Sequence, residues 1–276
     1  LPTIYIETEG GRPIVSKEDY VDAVLHYVDS NGVKTYDALG VRGRGNSTWN
    51  LEKKPYRIKF AEKQEFMGPK RAKAKSWTLL ANFADKTLLR NAVAACIGDF
   101  AGQPFTAGAQ FVDLVLNGTY LGNYQLSDQV EVRKKRVDID EQDEIPTEDA
   151  NITGGYFLED GWATAEPVYY KTNRNVLVTV KSPDEEVIVS RQLEYIKNHM
   201  QLFEDALFSS DFADPEKGYR PYVDSLTLAS WYISTELTGN VDGFWSTYMY
   251  KKKDDQKFYW GPLWDYDIAF NNCNRV

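Results

Sequence analysis

Asp265 and Asp267 stand two residues apart inside residues 258–270, FYWGPLWDYDIAF, a stretch otherwise apolar and aromatic. On a strand, residues i and i+2 share a face, so the spacing predicts two carboxylates side by side on an apolar ribbon. Such a pair is costly unless a divalent metal, an Arg or Lys, or a shared proton meets it. A salt-bridged pair at a strand end fits the same spacing. A third carboxylate, Asp242, lies upstream in residues 236–250, ELTGNVDGFWSTYMY, after a predicted helix and a Gly-containing loop.

The other chemically loaded stretch is cationic. Within residues 36–50, Gly43 and Gly45 alternate with Arg42 and Arg44. Glycine lets a backbone approach a ligand closely, and arginine grips phosphate or carboxylate with two parallel bonds. A tight turn between strands accounts for the same glycines. In residues 53–60, KKPYRIKF, Tyr56, Ile58 and Phe60 alternate with Arg57 and Lys59. One face belongs to a core and the other presents a cationic row, or a solvated edge where lysines discourage strand pairing. Together Arg42, Arg44, Lys54, Arg57 and Lys59 define a candidate anion site.

The elements that must position these residues change character along the chain. Residues 4–8 and 23–28 read as short strands, a β-rich extension over 1–35. Strands follow at 77–81, at 111–116 and 119–126 joined by Asn117-Gly118 as a type I′ hairpin, and at 154–159, 168–171 and 176–181. Asp85 is predicted to cap a helix carrying Leu89, Ala92, Val93, Cys96, Ile97 and Phe100 on one buried side. The charged run 128–150 reads as surface. Beyond Pro183, Leu193, Ile196, Met200, Phe203 and Leu207 follow helical spacing, as do Leu226, Ala229, Ile233 and Leu237. A last hairpin, 247–252 with 258–263, carries Asp242 at its entrance and Asp265 at its exit.

The 276 residues suit one large or two-lobed domain. A net charge of −9 argues against general nucleic-acid binding, and no apolar run is long enough for a membrane span. Two cysteines and two histidines, all far apart, leave no zinc motif and make a nucleophile–histidine triad improbable. Cys96, on the apolar helix side, is expected to be a buried free thiol. Any metal would be held by oxygen, which favours magnesium, calcium or manganese. Leu1 marks a processed or excised chain.

A β-rich lobe with a cationic loop, followed by a helical lobe bearing an acidic hairpin, has the parts that phosphoryl transfer needs. Cations cradle phosphates, acids hold the metal, and one carboxylate orients the attacking hydroxyl. The signatures of ordinary protein kinases are absent. RGRGNSTW with KKPYRIKF, LLANFADKTLLRN, NGTYLGNYQL, GGYFLE and GNVDGFW…GPLWDYDIAFN occur in the order found in the spore-coat CotH-like kinase family, which the chain resembles over residues 36–271.

That resemblance implies an α+β, atypical protein-kinase-like two-lobed fold, with a β-rich lobe at 36–185 and a helical lobe at 186–276. It further implies a bacterial, secreted or cell-surface enzyme that transfers the γ-phosphate of ATP, with Mg²⁺ or Mn²⁺, to Ser/Thr hydroxyls of extracytoplasmic proteins. Asp242 corresponds to the catalytic-loop aspartate and Asp265 to the metal-binding aspartate, with Asp267 a ligand or an orienter. Arg42, Arg44, Lys54, Arg57 and Lys59 fall in the family's basic blocks, where nucleotide contacts are expected, and Asn82 and Arg90 fall in another shared block. Ser246 and Thr247 stand where kinases place a metal-binding Asn, for which Asn240 or Asn271 would substitute. The helical lobe reads as cut short at Val276.

Two other readings use the same residues. A catalytically inactive, kinase-like surface or carbohydrate-binding module would use exposed aromatics such as Trp245, Trp260 and Trp264. A glycosidase would use two carboxylates flanking a sugar bond, which leaves the basic cluster without a role.

Overall fold

The computed structural model describes residues 1–161 and 167–273; Val276 lies outside them. Among the described residues the chain forms twelve strands and three α-helices, and it divides into two compact units.

The first unit, Leu1–Val93 with Ala107–Gln129, is a closed barrel. Its staves are β1 (Thr3–Thr8), β2 (Val21–Asp29), β3 (Gly32–Gly43), β4 (Tyr56–Gln64), β5 (Ala74–Leu80), β6 (Gln110–Leu116) and β7 (Thr119–Asp128). They follow the order β1-β2-β3-β4-β5-β7-β6. β1 closes the ring by pairing antiparallel with β2 and parallel with β6, which leaves no open sheet edge. The period-2 pattern sets the inside: Ile4, Leu25, Val41, Ile58, Trp77, Leu79, Val112 and Leu126 are fully buried. Much of the aromatic content goes here, with Phe66 ringed by Tyr27, Tyr36, Phe60 and Trp77 at centroid distances of 5.0–5.9 Å. The β6–β7 turn is as the sequence predicts, since Asn117 and Gly118 both take positive φ.

The second unit, Ala94–Thr106 with Val130–Val276, holds most of α1 (Arg90–Ala101) and all of α2 (Ser190–Leu207) and α3 (Ser225–Thr238). Its strands are β8 (Tyr156–Gly161), β9 (Tyr169–Lys171), β10 (Leu177–Ser182), β11 (Ser246–Lys251) and β12 (Phe258–Trp260), in the order β12-β11-β8-β10-β9. Every pairing in this sheet is antiparallel. Ile196 and Met200 of α2 share a core with Tyr156, Leu158, Val178, Val180, Met249 and Phe258.

This architecture overturns the expected atypical kinase-like two-lobed fold with a helical C-terminal lobe. Residues 36–129 complete a seven-stranded barrel, and residues 186–276 share a five-stranded sheet with strands from 156–182. The helical periodicity near 193–207 and 226–237 is real. Period alone does not show what a helix packs on, and α2 lies on a sheet.

Three local expectations also change. In α3, Leu226, Ile233 and Leu237 are exposed, whereas Thr227, Ser230, Ser234, Thr235 and Thr238 are buried. Ser234 and Thr238 donate to the carbonyls one turn back, of Ser230 and Ser234, both within 2.8 Å. Their hydroxyls are thereby satisfied inside the helix, and small side chains let residues 260–270 approach closely. Trp260 N–H donates to Thr227 Oγ1 at 3.1 Å and Phe270 N–H to the Thr238 carbonyl at 2.6 Å.

In α1 the buried positions are Ala94 and Gly98, while Val93, Cys96 and Phe100, and Leu89 just before the helix, are exposed. A Cβ on Gly98 would lie 2.6 Å from Leu263, so α1 buries its small side rather than its large apolar one. Finally, the charged run 128–150 is partly interior. Val130, Val132, Val137 and Arg136 are buried, with Arg136 bonded to Glu131 at 2.7 Å. A paired guanidinium can be buried where an isolated one cannot.

Candidate functional site

The acidic residues belong to the second unit, on loops rather than on a strand. β12 ends at Trp260, and Pro262 has no N–H with which to extend the ladder. Asp265 and Asp267 therefore do not share a strand face. Asp265 is exposed with φ +65°, and Asp267 is half-buried. Between them Tyr266 is 3 % exposed, and its hydroxyl lies 3.1 Å from Thr235 Oγ1 on α3. Burial pushes the Tyr266 hydroxyl pKa up, while bonds to Thr235 and Asn240 pull it the other way.

Asn240 is the hinge of the arrangement. α3 ends at Gly239, whose φ of +58° is the left-handed stop that glycine supplies best. Asn240 follows, buried, and its Oδ1 accepts the Asp242 N–H at 3.3 Å. The Asn240 carbonyl accepts Gly243 N–H at 3.0 Å, and the Asp242 carbonyl accepts Trp245 N–H at 3.0 Å. A Cβ on Gly243 would sit 2.4 Å from Thr235. Thus GNVDG is a tight turn built against α3, and Tyr266 pins the Asp265–Asp267 segment to the same two residues that shape it. Asp242, Asp265 and Asp267 are brought onto one scaffold. Tyr266 was not singled out from the sequence, although its place between two acids was the available signal.

The expected stand-ins for a metal-binding Asn separate. Asn240 serves the Asp242 turn, and Asn271 is exposed with φ +58°. Neighbouring Asn272 donates its amide to the Asp267 carbonyl at 2.7 Å. Ser246 donates to Glu159 of β8, which lies 3.5 Å from Lys181. Among the described residues no three His, Cys, Asp or Glu side chains gather as a metal cage. Asp242, Asp265 and Asp267 are oxygen donors of the kind that hard divalent cations take. Phe244 and Trp245 beside Asp242 are exposed, whereas Trp260 is buried and Trp264 half-buried.

The basic residues belong to the barrel. Arg42 of β3 and Arg57 of β4 are register partners, with Lys59 two residues along the same outer face. Tyr20 gathers two of them, its ring lying 5.1 Å from the Arg42 guanidinium and 5.7 Å from the Lys59 ammonium. Arg57 donates to Ser76 Oγ at 3.2 Å. The Nε atoms of Arg42 and Arg57 are buried without a hydrogen-bond partner among the described residues. Lys59 also lines an open groove of about 800 Å³ with Glu7, Asp22 and Asp37.

Lys54 stands apart, since its ammonium donates to the Trp49 carbonyl at 2.7 Å. Lys53 serves the carbonyls of Ala81 and Asn123, and burial lowers its pKa. Arg44 follows β3, where its N–H donates to the Pro55 carbonyl at 3.2 Å. The alternating glycines make room for protein rather than for a ligand. A Cβ on Gly43 would strike the Trp49 ring at 2.4 Å, and one on Gly45, at φ +84°, would meet Thr48 Oγ1 at 2.1 Å.

Asn82 and Arg90, from another shared block, are structural in the barrel unit. Asn82 donates to the Leu88 carbonyl and to Gln125. Arg90 pairs with buried Asp85. The Asp85 carboxylate also accepts the Arg90 N–H at 2.9 Å and the Thr87 N–H at 2.9 Å. Burial opposes its ionisation, but these bonds outweigh burial and hold it below the usual carboxylate range. Asp85 thus caps α1 from five residues upstream.

The class that fold and site define is a β-rich protein of two units, one with a paired-arginine face and one with three aspartates on a helix–hairpin scaffold. Within that class the chain belongs to the CotH kinase protein family, whose model matches residues 41–276. Membership makes it kinase-like at the level of the family. No curated protein matches the chain. Among the described residues, no helix is long and apolar enough to cross a membrane.

Proposed function

We propose that the chain is an ATP-dependent protein kinase that acts on Ser/Thr hydroxyls of proteins outside the cytoplasm. The observation that carries this reading is the Tyr266–Thr235–Asn240 network, which holds Asp242 and the Asp265–Asp267 segment on one support. Asp242 would accept the proton of the attacking hydroxyl and aim its oxygen. Asp265 and Asp267 would hold Mg²⁺ or Mn²⁺. When bound, that ion neutralises charge on the transferring phosphoryl oxygens. On the barrel unit, Arg42 and Arg57, with Lys59 and Arg44, would form an anion site of their own, to which paired guanidinium groups are suited. Lys54 would support the loop that precedes β4.

Calorimetric titration of ATP, with magnesium or manganese, into wild type and Asp265→Asn tests the reading. Asn tolerates the left-handed conformation of position 265, so the variant removes a charge without disturbing the turn. Metal-dependent binding in wild type and at least tenfold weaker binding in the variant are expected. Equal affinities, or no metal-dependent binding in wild type, would overturn the assignment. Exposed Phe244 and Trp245 favour a second reading, a kinase-like binding module without transfer. Metal-dependent ATP binding with no phosphate reaching any protein acceptor would select it.

A further inference from the structure

Away from the three aspartates, the five-stranded sheet carries a second acidic constellation. Tyr170 of β9 pairs with Val178 of β10, Val178 with Asp160 of β8, and Asp160 with Thr247 of β11. Register partners on adjacent strands point to the same face. Val178 shares its core with Ile196 and Met200 of α2, so this row faces α2. One turn beyond Met200, α2 places Glu204 on the same stripe. Glu204 and Tyr170 are each only 6 % exposed.

Two carboxylates and a phenol thus converge on an apolar layer. Glu204 Oε2 and the Tyr170 hydroxyl have no hydrogen-bond partner among the described residues. Lys171, beside Tyr170 on β9, is exposed on the opposite side of its strand, and Lys181 pairs with Glu159, which precedes Asp160 on β8 and points to the opposite face. Burial, and then the Glu204 charge, raise the Asp160 pKa to about 6. Burial and both carboxylates push the Tyr170 hydroxyl up.

We propose that Asp160, Glu204 and the Tyr170 hydroxyl form a second, structural site for a hard divalent cation. The donor set is all oxygen and carries two negative charges, which suits calcium, manganese or magnesium, with water or backbone oxygen completing the shell. An ion there would neutralise the buried Glu204 charge and the half-buried Asp160 charge, which would otherwise oppose folding, and would give both orphaned oxygens a partner. It would tie β8 and β9 to α2. The site is distinct from the ion proposed at Asp265 and Asp267.

The test is calorimetric titration of calcium, manganese and magnesium chloride, without nucleotide, into wild type, Glu204→Gln, Tyr170→Phe and Asp265→Asn near neutral pH. Wild type and Asp265→Asn should bind one of these ions with equal affinity, Glu204→Gln at least tenfold more weakly, and Tyr170→Phe severalfold more weakly. The ion should raise the melting temperature of wild type and leave that of Glu204→Gln unchanged. Because Glu204→Gln removes one of two repelling charges, it should melt no lower than chelator-treated wild type, so misfolding cannot imitate loss of the site. Absence of nucleotide-free binding in wild type, or equal affinity in Glu204→Gln, would overturn the proposal. If wild type in chelator instead only loses stability as pH rises from about 4 to about 6, the pair holds a proton and the proposal fails. Loss of binding in Asp265→Asn with retention in Glu204→Gln would assign the ion to the other acids and also overturn it.

Discussion

Like-charged side chains directly opposite each other on neighbouring strands repel, so the Arg42–Arg57 pair is unfavourable by itself and favourable around an anion. The anion-free protein should therefore tolerate Arg57→Gln without loss of stability in urea, while calorimetry shows affinity for inorganic triphosphate, titrated without metal, reduced about tenfold, or ~1.4 kcal/mol. Lys54→Met should do the reverse. It strips the Trp49 carbonyl of its donor, costs about 1 kcal/mol of stability, and leaves triphosphate affinity nearly unchanged. If Arg57→Gln weakens folding and spares binding, the arginine pair is structural. Residue types and alternation made the cationic row visible in the sequence, because a strand's period needs no tertiary information. They could not separate Lys54 from Arg57, since what occupies Lys54 is a backbone carbonyl, and every residue has one.

At the scale of elements, hairpins and the apolar face of α2 were legible, and the faces of α1 and α3 were not. Asn117-Gly118 fixes its turn through its own backbone preferences, whereas α3 buries Ser234 and Thr238 because their hydroxyls bond within the helix, which no apolar periodicity reports. The β11–β12 hairpin makes a sharper case. Lys251 is 1 % exposed and donates its ammonium to the carbonyls of Thr153 and Asp255. Burial lowers its pKa to about 8, against the pull of Asp255 and Asp254. Between about pH 8 and its ordinary value the unfolded chain holds a proton that the folded one has released, so this group's contribution to stability rises with pH across that window. Denaturant midpoints of wild type and Lys251→Met should diverge in favour of wild type by roughly 2 kcal/mol between neutral pH and pH of about 9.5. A gap that stays level or narrows would mean that Lys251 keeps its charge in the fold.

For the whole molecule, the sequence revealed the succession of strands and then helices but not their partners, because barrel closure by β1 and β6 joins segments far apart in the chain. Charge behaves differently, since it can be summed without a fold. At a net −9 the far field repels a nucleotide, so attraction at Arg42, Arg57 and Lys59 must be local. Repulsion between net charges is screened beyond a Debye length of roughly 8 Å at physiological salt, while direct guanidinium–phosphate contacts are screened much less. Salt should therefore relieve the repulsion before it weakens the contacts. Stopped-flow measurement with a fluorescent ATP analogue, without metal, should show an association rate that stays level or rises as salt increases from low to physiological concentration. A steep fall would mean that a positive field steers the nucleotide from a distance, and the anion site would then have to be larger than this patch on the barrel.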